Sequence, residues 1–448
     1  MSAKRNLLII LAHGLRSDAL GDGSAWPLTT PHIDDLARAG LRLTAMAACP
    51  ADPGAAISLY SGLHARQHGH VGQNSATVTC GGWAAALAAD GYHLAGVGRI
   101  DPIRKHLHEA VAVHDVASRD FANCQYLRAT RSRGITAALL QQRQQRNRTG
   151  PFEPARLIIE PGDDVDGYIA TRAAEMLGQL PADRPWALIV AFTGPANELP
   201  PPTISHEIVD TAALVDGFIP VDFRRIDCLA ELDHPRALLQ RLTPTQLARI
   251  RADYLGRVSL LDFSIGRLRA AACDRKDADR TWTVLTSDRG YLLGEHGLVG
   301  HRAFLAGAVD VPLIIAAPKA MNLPSPRGLQ IGTVDVAATL SDLGGTELPQ
   351  AAVGRSLLCL MRGQPFRTLT AGGCLSEFSD RLCLRTERYK AAFRIDSQMP
   401  LMLFDTLHDA DELDNLIGTA RGQSLLDSVR WRLGDALMPL RSCPIPPR

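Results

Sequence analysis

The sequence lacks a charge excess of either sign: 48 lysines and arginines stand against 47 aspartates and glutamates, a formal net charge of +1. That balance removes the bulk electrostatic reason for a chain to bind nucleic acid or an anionic membrane. Nowhere does an apolar run approach the roughly 20 residues of a membrane span. The run from Leu7 to Ala12 follows Lys4 and Arg5, as a secretory leader would begin, but it is shorter than the roughly 7–15 residues of a leader core. His13, Gly14, Leu15 and Arg16 follow at once, where a cleavage site would need small residues. The expectation is a buried first strand in a cytoplasmic protein with no membrane partner. No two cysteines have CxxC spacing; the nine lie at 49, 80, 124, 228, 273, 359, 374, 383 and 443. That pattern excludes a cysteine-built zinc site and predicts free thiols in a reducing compartment. Internal repeats are absent too. With 28 prolines and 38 glycines dispersed among 46% hydrophobic residues, wholesale disorder and collagen-like structure are excluded.

What is present is alternation. Apolar runs at 7–11, 93–97, 187–192, 281–286 and 311–316 read as strands, separated by segments of helical periodicity at 31–39, 84–89, 167–180 and 246–271. Pro31 opens the first of these helices and Gly40 follows it. Strands that are apolar throughout imply an α/β fold with a central, largely parallel sheet sandwiched by helices. Ligands of such sheets sit beyond the carboxyl ends of the strands, where this chain carries its unusual polar clusters. Gln141–Arg148 and the Pro-rich stretch Pro195–Pro202 read as peripheral insertions. From about Pro349 the segments shorten, Cys374 and Cys383 lie close together, and 401–404 reads as a strand. The predicted organisation is an α/β domain over 1–348 and a small C-terminal α+β subdomain over 349–448.

The order of motifs is similar to that of the type I sulfatases of the alkaline phosphatase superfamily. NLLIILAHGLRSDALG resembles the first strand and loop of that family, and TPHIDDLARAGLRLTAMAACP the helix and run into its nucleophile loop. SGLHARQHGH, GYHLAGVGR, TSDRGYLLGEHGLVGHR, VDVPLIIAAP, TVDVAATLSDLGG, GRSLL and LFDTLHDADELDNL follow in the family's order. The resemblance runs across nearly the whole chain and implies the sulfatase fold, with sulfuric ester hydrolysis as the ancestral activity.

It also implies where the chemistry should be, and there the chain departs from the family. The paired carboxylates that would hold a divalent cation after the first strand fall on His13 and Gly14. The nucleophile, a Cys or Ser converted to formylglycine, falls on Asp52, and the Pro, Ser and Arg of its motif on Gly54, Ala55 and Ala56. Asp cannot become formylglycine, and Cys49 stands three residues too early. The family's Lys and His near the third strand are Arg99 and Asp101, another of its histidines is Ala196, and the sulfate-contacting Lys is His301. Of the last metal pair Asp288 remains, followed by Arg289.

A hard divalent cation needs several oxygen ligands, which Asp288 alone does not supply. Arg289 is a permanent cation suited to stand in for the metal. With Arg99 and His301 it would face Asp52, Asp101 and Asp288, each buried charge requiring a partner. The leading expectation is therefore a pseudoenzyme with no cofactor, acting through an anionic small molecule in the former pocket or through a related protein chain. Two alternatives stay open. Asp52 could serve as a covalent nucleophile toward phosphoryl groups, with Arg99 and Arg289 clamping the oxyanion, giving a sulfuric or phosphoric ester hydrolase. Or His13, Asp52, Asp288 and His301 could hold one divalent metal ion as mixed zinc ligands. His64, His68 and His70 read as surface or structural histidines rather than a metal cluster. Glu295-His296-Gly297 reads as a structural turn, and Asp262 as a local cap. The arginines of 128–148, with no aromatic among them, read as a solvated face rather than a nucleic-acid patch.

Overall fold

A computed structural model describes residues 4–21, 24, 26–71, 81–113, 124–149, 159–196, 214, 242–319, 321, 323, 326, 328–366 and 373–441. The apolar runs form a seven-stranded sheet in the order β2-β9-β6-β1-β5-β3-β4. Its strands are β1 (Asn6–His13), β2 (Gly40–Met46), β3 (His93–Gly98), β4 (Glu109–Ala112), β5 (Trp186–Pro195), β6 (Thr281–Ser287) and β9 (Asp310–Ala316). A short hairpin, β7 (Leu292–Leu293) with β8 (Val299–Gly300), stands apart from it. Pairing is parallel from β6 through β1, β5 and β3 to β4, whereas β9 runs antiparallel to both β6 and β2.

The uniform hydrophobicity of the central strands follows from burial on both faces. Leu8, Ile10 and Ala12 of β1 join Leu188, Val190 and Phe192 of β5 in one core, and helices Pro31–Arg38, Val165–Gln179 and Pro244–Cys273 cover it with Ile33, Leu36, Ile169, Leu177, Val258 and Ile265. The alternate residues Leu7, Ile9 and Leu11 enter a second core beneath Gly54–Ser61, Trp83–Ala89 and Thr333–Gly344, with Leu59, Trp83, Leu87 and Leu340. The period-2 alternation of side chains is what divides one apolar run between two cores.

A four-stranded antiparallel sheet follows: β10 (Gly373–Phe378), β11 (Arg381–Thr386), β12 (Tyr389–Arg394) and β13 (Pro400–Asp405). One face, with Leu375, Leu384, Phe393 and Leu403, packs against Leu426, Val429 and Leu433 of the helix Ala420–Arg441. The other face sends Cys374, Cys383, Ala392 and Met402 into the first core of the large sheet. A fully buried ion pair, Lys390 to Glu412 at 2.6 Å, adds a tie to the main body, because Glu412 also accepts the Ala306 N–H at 2.8 Å.

Gln141–Arg148 lies within the helix Thr136–Thr149. Most of Pro195–Pro202 lies outside the described residues, as do Cys80, Cys228 and Cys443. The six described cysteines are free. Among the described residues no helix is long and apolar enough to cross a membrane.

Candidate functional site

The parallel strands β1, β3, β5 and β6 end at one edge of the sheet, and the polar residues cluster there. His13 closes β1, Arg99 follows β3, and Asp288 with Arg289 follows β6. Asp52 enters from the loop between β2 and the helix Gly54–Ser61. Several hydrogen bonds set the loops. Ser287 Oγ lies 2.7 Å from the Arg289 carbonyl and 3.0 Å from that of Ala12, has one proton to donate between them, and accepts the Leu15 N–H, and the Tyr254 hydroxyl bridges the Gly14 carbonyl and the Arg16 N–H at 2.9 Å each. After β5, buried Asp166 accepts the Thr193 and Gly194 N–H groups. Asp166 packs beside Asp164 and Arg257, and burial followed by the Asp164 charge pushes its carboxyl up to about 6. This anchors the strand end whose next residue, Ala196, donates its N–H to the His13 carbonyl.

The imidazole of His13 is the hub. Nδ1 lies 2.6 Å from Asp288 Oδ2, while Nε2 meets Arg99 Nη1 at 2.6 Å and Arg289 Nη2 at 2.8 Å. A carboxylate only accepts and a guanidinium only donates, so these partners assign a neutral ring with its proton on Nδ1 and its lone pair on Nε2 shared by two arginines. The same arginines reach Asp52 Oδ2, at 3.3 Å from Arg99 and 3.4 Å from Arg289, and thereby bridge the 3.1 Å approach of that oxygen to Nε2. Burial alone would raise the Asp52 carboxyl, but the guanidiniums of Arg289 and Arg99 beside it outweigh burial and hold the group well below the usual carboxylate range. The other Asp288 oxygen accepts the Arg289 N–H at 2.8 Å and the Gly14 N–H at 3.2 Å. Two carboxylates and two guanidiniums thus meet around one imidazole in a connected network of matched charge.

Three expectations need correction. Asp101 is not a partner of Arg289: it is exposed at the start of the turn Asp101–His106, and the Arg289 side chain reaches His13, Asp52 and the Gly290 carbonyl. His301 does not join the cations, because burial and the adjacent Arg289 charge push it down to about 2 and keep it neutral. Nor does it complete a four-residue ligand set; the ligand atoms that gather within 4.8 Å belong to His13, Asp52 and Asp288. Its ring lies beside Tyr291 instead, with centroids 6.4 Å apart.

Gly14 leaves no room for a side chain beside His13. Its φ is +76°, and a Cβ on it would come within 2.2 Å of the Ala196 Cβ. That approach violates van der Waals contact as well as the backbone preference of any other residue.

Above the network lies a cavity of about 230 Å³. Its walls are mainly Leu11, Ala56, Leu59, Ala191 and Phe192, and its polar lining comes from His13, Asp52, Tyr60, Arg99, Asp101 and Asp288. Nothing in the sequence pointed to Tyr60, which stands between Leu59 and Ser61. Asp164, Asp166 and Arg257 were equally hidden, since 93 residues separate Asp164 from Arg257.

The other candidates have structural work. Cys49 is buried, and burial pushes its thiol up to about 12. Asp262 does cap a helix, but one that lies 229 residues away, accepting the Ile33 N–H at 2.8 Å. His296 is buried in the turn Glu295–Gly297, whose Glu295 pairs with Arg16. The three histidines at 64, 68 and 70 are all buried. Ser58 Oγ lies 2.9 Å from His68 Nε2, an arrangement that looks like an activated nucleophile. However, His68 Nδ1 accepts the His70 N–H at 3.3 Å, so Nε2 carries the proton and donates to Ser58. The ring is in the wrong tautomer for a general base. Ser58→Ala is expected to lower stability by about 1–2 kcal/mol, the effect of leaving a buried N–H unpaired, and to leave any ligand affinity of the cavity unchanged. Urea unfolding midpoints check the first part and ligand titration the second.

Residues 5–346 match the family described as Sulfatase, and residues 294–438 match N-sulphoglucosamine sulphohydrolase, C-terminal. A choline-sulfatase from Rhizobium meliloti is 27% identical over 284 residues, which span 58% of this chain and about half, 52%, of that protein. An arylsulfatase from Clostridium perfringens is 22% identical over 466 residues, covering 95% of this chain and 93% of its own. Among solved structures, a phosphonate monoester hydrolase from Silicibacter pomeroyi superposes with a TM-score of 0.76 at 18% identity, covering 98% of this chain and 97% of the other.

Proposed function

The chain belongs to the sulfatase family, and from that premise we propose that it is a non-catalytic member, acting by binding a ligand or a partner chain at the site where its relatives carry a metal and a nucleophile. One observation carries this reading: the two atoms best placed to receive a cation, His13 Nε2 and Asp52 Oδ2, already accept hydrogen bonds from Arg99 and Arg289.

Calcium or magnesium does not fit this donor set. Either ion takes about six or more oxygens, while the cluster offers one imidazole nitrogen and two carboxylates. Inserting a divalent ion would also place it against two guanidiniums that cannot lose their charge. Zinc accepts fewer and softer ligands, but it would have to displace the same two arginines from the same lone pair. Asp52 is a poor nucleophile for the same reason. Its Oδ2 is held by two donors, and its Oδ1 is buried without contact to solvent.

The test is metal analysis of the desalted protein, with hydrolysis of 4-nitrophenyl sulfate and 4-nitrophenyl phosphate measured in parallel. The expected result is no stoichiometric calcium, magnesium or zinc and no turnover above buffer. One tightly held ion per chain, lost in Asp288→Ala, or turnover abolished by Asp52→Asn, would overturn the reading.

A further inference from the structure

The end of β5 rests on a buried set of charges outside the His13 network. Asp164 and Asp166, at the start of the helix Val165–Gln179, meet one guanidinium, that of Arg257 in the helix Pro244–Cys273. The three side chains are 1%, 6% and 1% exposed. Arg257 gives both Nη groups to Asp164, at 3.3 and 3.2 Å, and approaches Asp166 Oδ2 only to 3.6 Å. Asp166 is held by the strand instead. Its Oδ1 accepts the Thr193 N–H and hydroxyl at 2.8 Å each, and its Oδ2 accepts the Gly194 N–H at 3.1 Å. The backbone lies so near that a Cβ on Gly194 would come within 2.6 Å of Oδ2.

The charged groups packed around Asp166 do not supply a second cation. Asp253, one turn before Arg257, pairs with Arg249, and Asp163 pairs with Arg133. Tyr126 donates its hydroxyl to the Asp163 carbonyl at 2.8 Å and stays neutral, since burial and the Asp164 charge push its phenol up. Among the described residues the buried set is therefore two carboxylates against one guanidinium. Ionising both together is costly, and the one without the paired Nη contacts takes the proton; burial and the Asp164 charge bring it to about 6. Each Asp166 oxygen faces a backbone N–H. A proton on either one sets donor against donor and removes the charge that strengthens the remaining bonds.

This strand end is part of the site. Ala191 and Phe192, which line the cavity, lead directly into Thr193 and Gly194, and Ala196 donates its N–H to the His13 carbonyl at 3.0 Å. We propose that Asp166 is a proton-operated latch on the cavity: ionised, it clamps the end of β5 beside His13, and protonated, in mildly acidic surroundings, it releases that strand end and the wall formed by Ala191 and Phe192. The latch goes beyond the non-catalytic reading and acts whatever the cavity holds.

Hydrogen exchange of the full-length protein tests it. Peptides covering 186–196, corrected for the intrinsic pH dependence of amide exchange, are compared with a reference covering 310–316 in β9, which shares any global loss of stability. Between about pH 7.5 and about pH 5, protection of 186–196 should fall about tenfold relative to the reference, the effect of weakening one or two backbone hydrogen bonds. Asp164→Asn keeps an oxygen to accept the Asp166 N–H, removes the like charge and leaves Arg257 to Asp166. It should hold protection high down to about pH 5. Asp166→Asn, of the same shape without the charge, should show low protection at both pH values and no further fall. The latch is overturned if the ratio for the unaltered protein stays constant across this range, if Asp164→Asn leaves the fall where it was, or if Asp166→Asn retains it. The first two outcomes need no change at Asp166, so they decide the question even where that variant does not fold.

Discussion

Arg289→Ala is expected to lower the stability of the protein by about 3 kcal/mol, the low end of the cost of breaking a buried charge pair. Arg289 is 3% exposed, and its guanidinium shares His13 Nε2 and Asp52 Oδ2 with Arg99. Removing it leaves Asp52 facing one guanidinium in place of two and opens a void beside Asp288. The estimate stays at the low end because the Asp52 side chain is 23% exposed and water can answer part of its charge. Arg99→Ala offers the internal comparison. Its side chain is 33% exposed, so water can replace more of what it supplied, and the expected loss is about 1 kcal/mol. Chemical denaturation of both variants beside the unaltered protein measures the difference. Equal losses, or an Arg289→Ala variant as stable as the parent, would mean that this arginine does not hold the site together.

Acid should destabilise the protein steadily below about pH 6.5. Burial, followed by its neighbours His70 and His64, pushes His68 down to about 3, and burial with the Arg289 charge takes His301 to about 2. Burial lowers His64, His70 and His296 as well. For each, the unfolded chain binds a proton through a pH range in which the folded chain does not. Stability is then complete above the unfolded histidine value of about 6.5 and falls as the pH drops toward the folded value. A fully titrating group contributes a slope of about 1.4 kcal/mol per pH unit.

Asp166 and Asp335 act in the opposite sense. Burial raises both to about 6, so the folded state keeps protons that the unfolded state releases between about pH 4 and 6. They offset part of the loss but are outnumbered by the histidines. Below about pH 4 the depressed Asp52 carboxyl adds to the destabilisation, since its pairing is stabilising only while it is ionised. Thermal unfolding followed from pH 7.5 to 4 should show a midpoint that holds down to about pH 6.5 and falls below it. A flat profile down to pH 5 would show that these rings are not buried as neutral groups.

Much of the architecture was legible because it follows from local pattern. Uninterrupted apolar runs mark strands covered on both faces, and those at 7–11, 93–97, 187–192, 281–286 and 311–316 each fall inside a strand of the large sheet. Motif order carried the family. The ends of the elements were less visible: β5 runs to Pro195, three residues past its apolar run, because the buried Asp166 carboxylate holds the backbone N–H groups of Thr193 and Gly194. The antiparallel direction of β9 was not legible either, since an apolar run has no polarity in the direction of the chain.

The sequence by itself determined which residues stand at the strand ends, and hence that Arg99, Arg289, Asp52 and Asp288 would come near one another there. Only the tertiary structure decided how they pair. The hydrogen bonds that join His13, Asp52, Arg99 and Arg289 span 47 to 276 residues. At such distances along the chain, pairing depends on the register of the parallel strands and on a close approach such as Gly14 to Ala196, not on spacing. The same dependence turned Arg289 toward His13 instead of Asp101 and kept His301 neutral. In each case the local dielectric and the nearest donor or acceptor set the outcome, and both are properties of packing rather than of residue type.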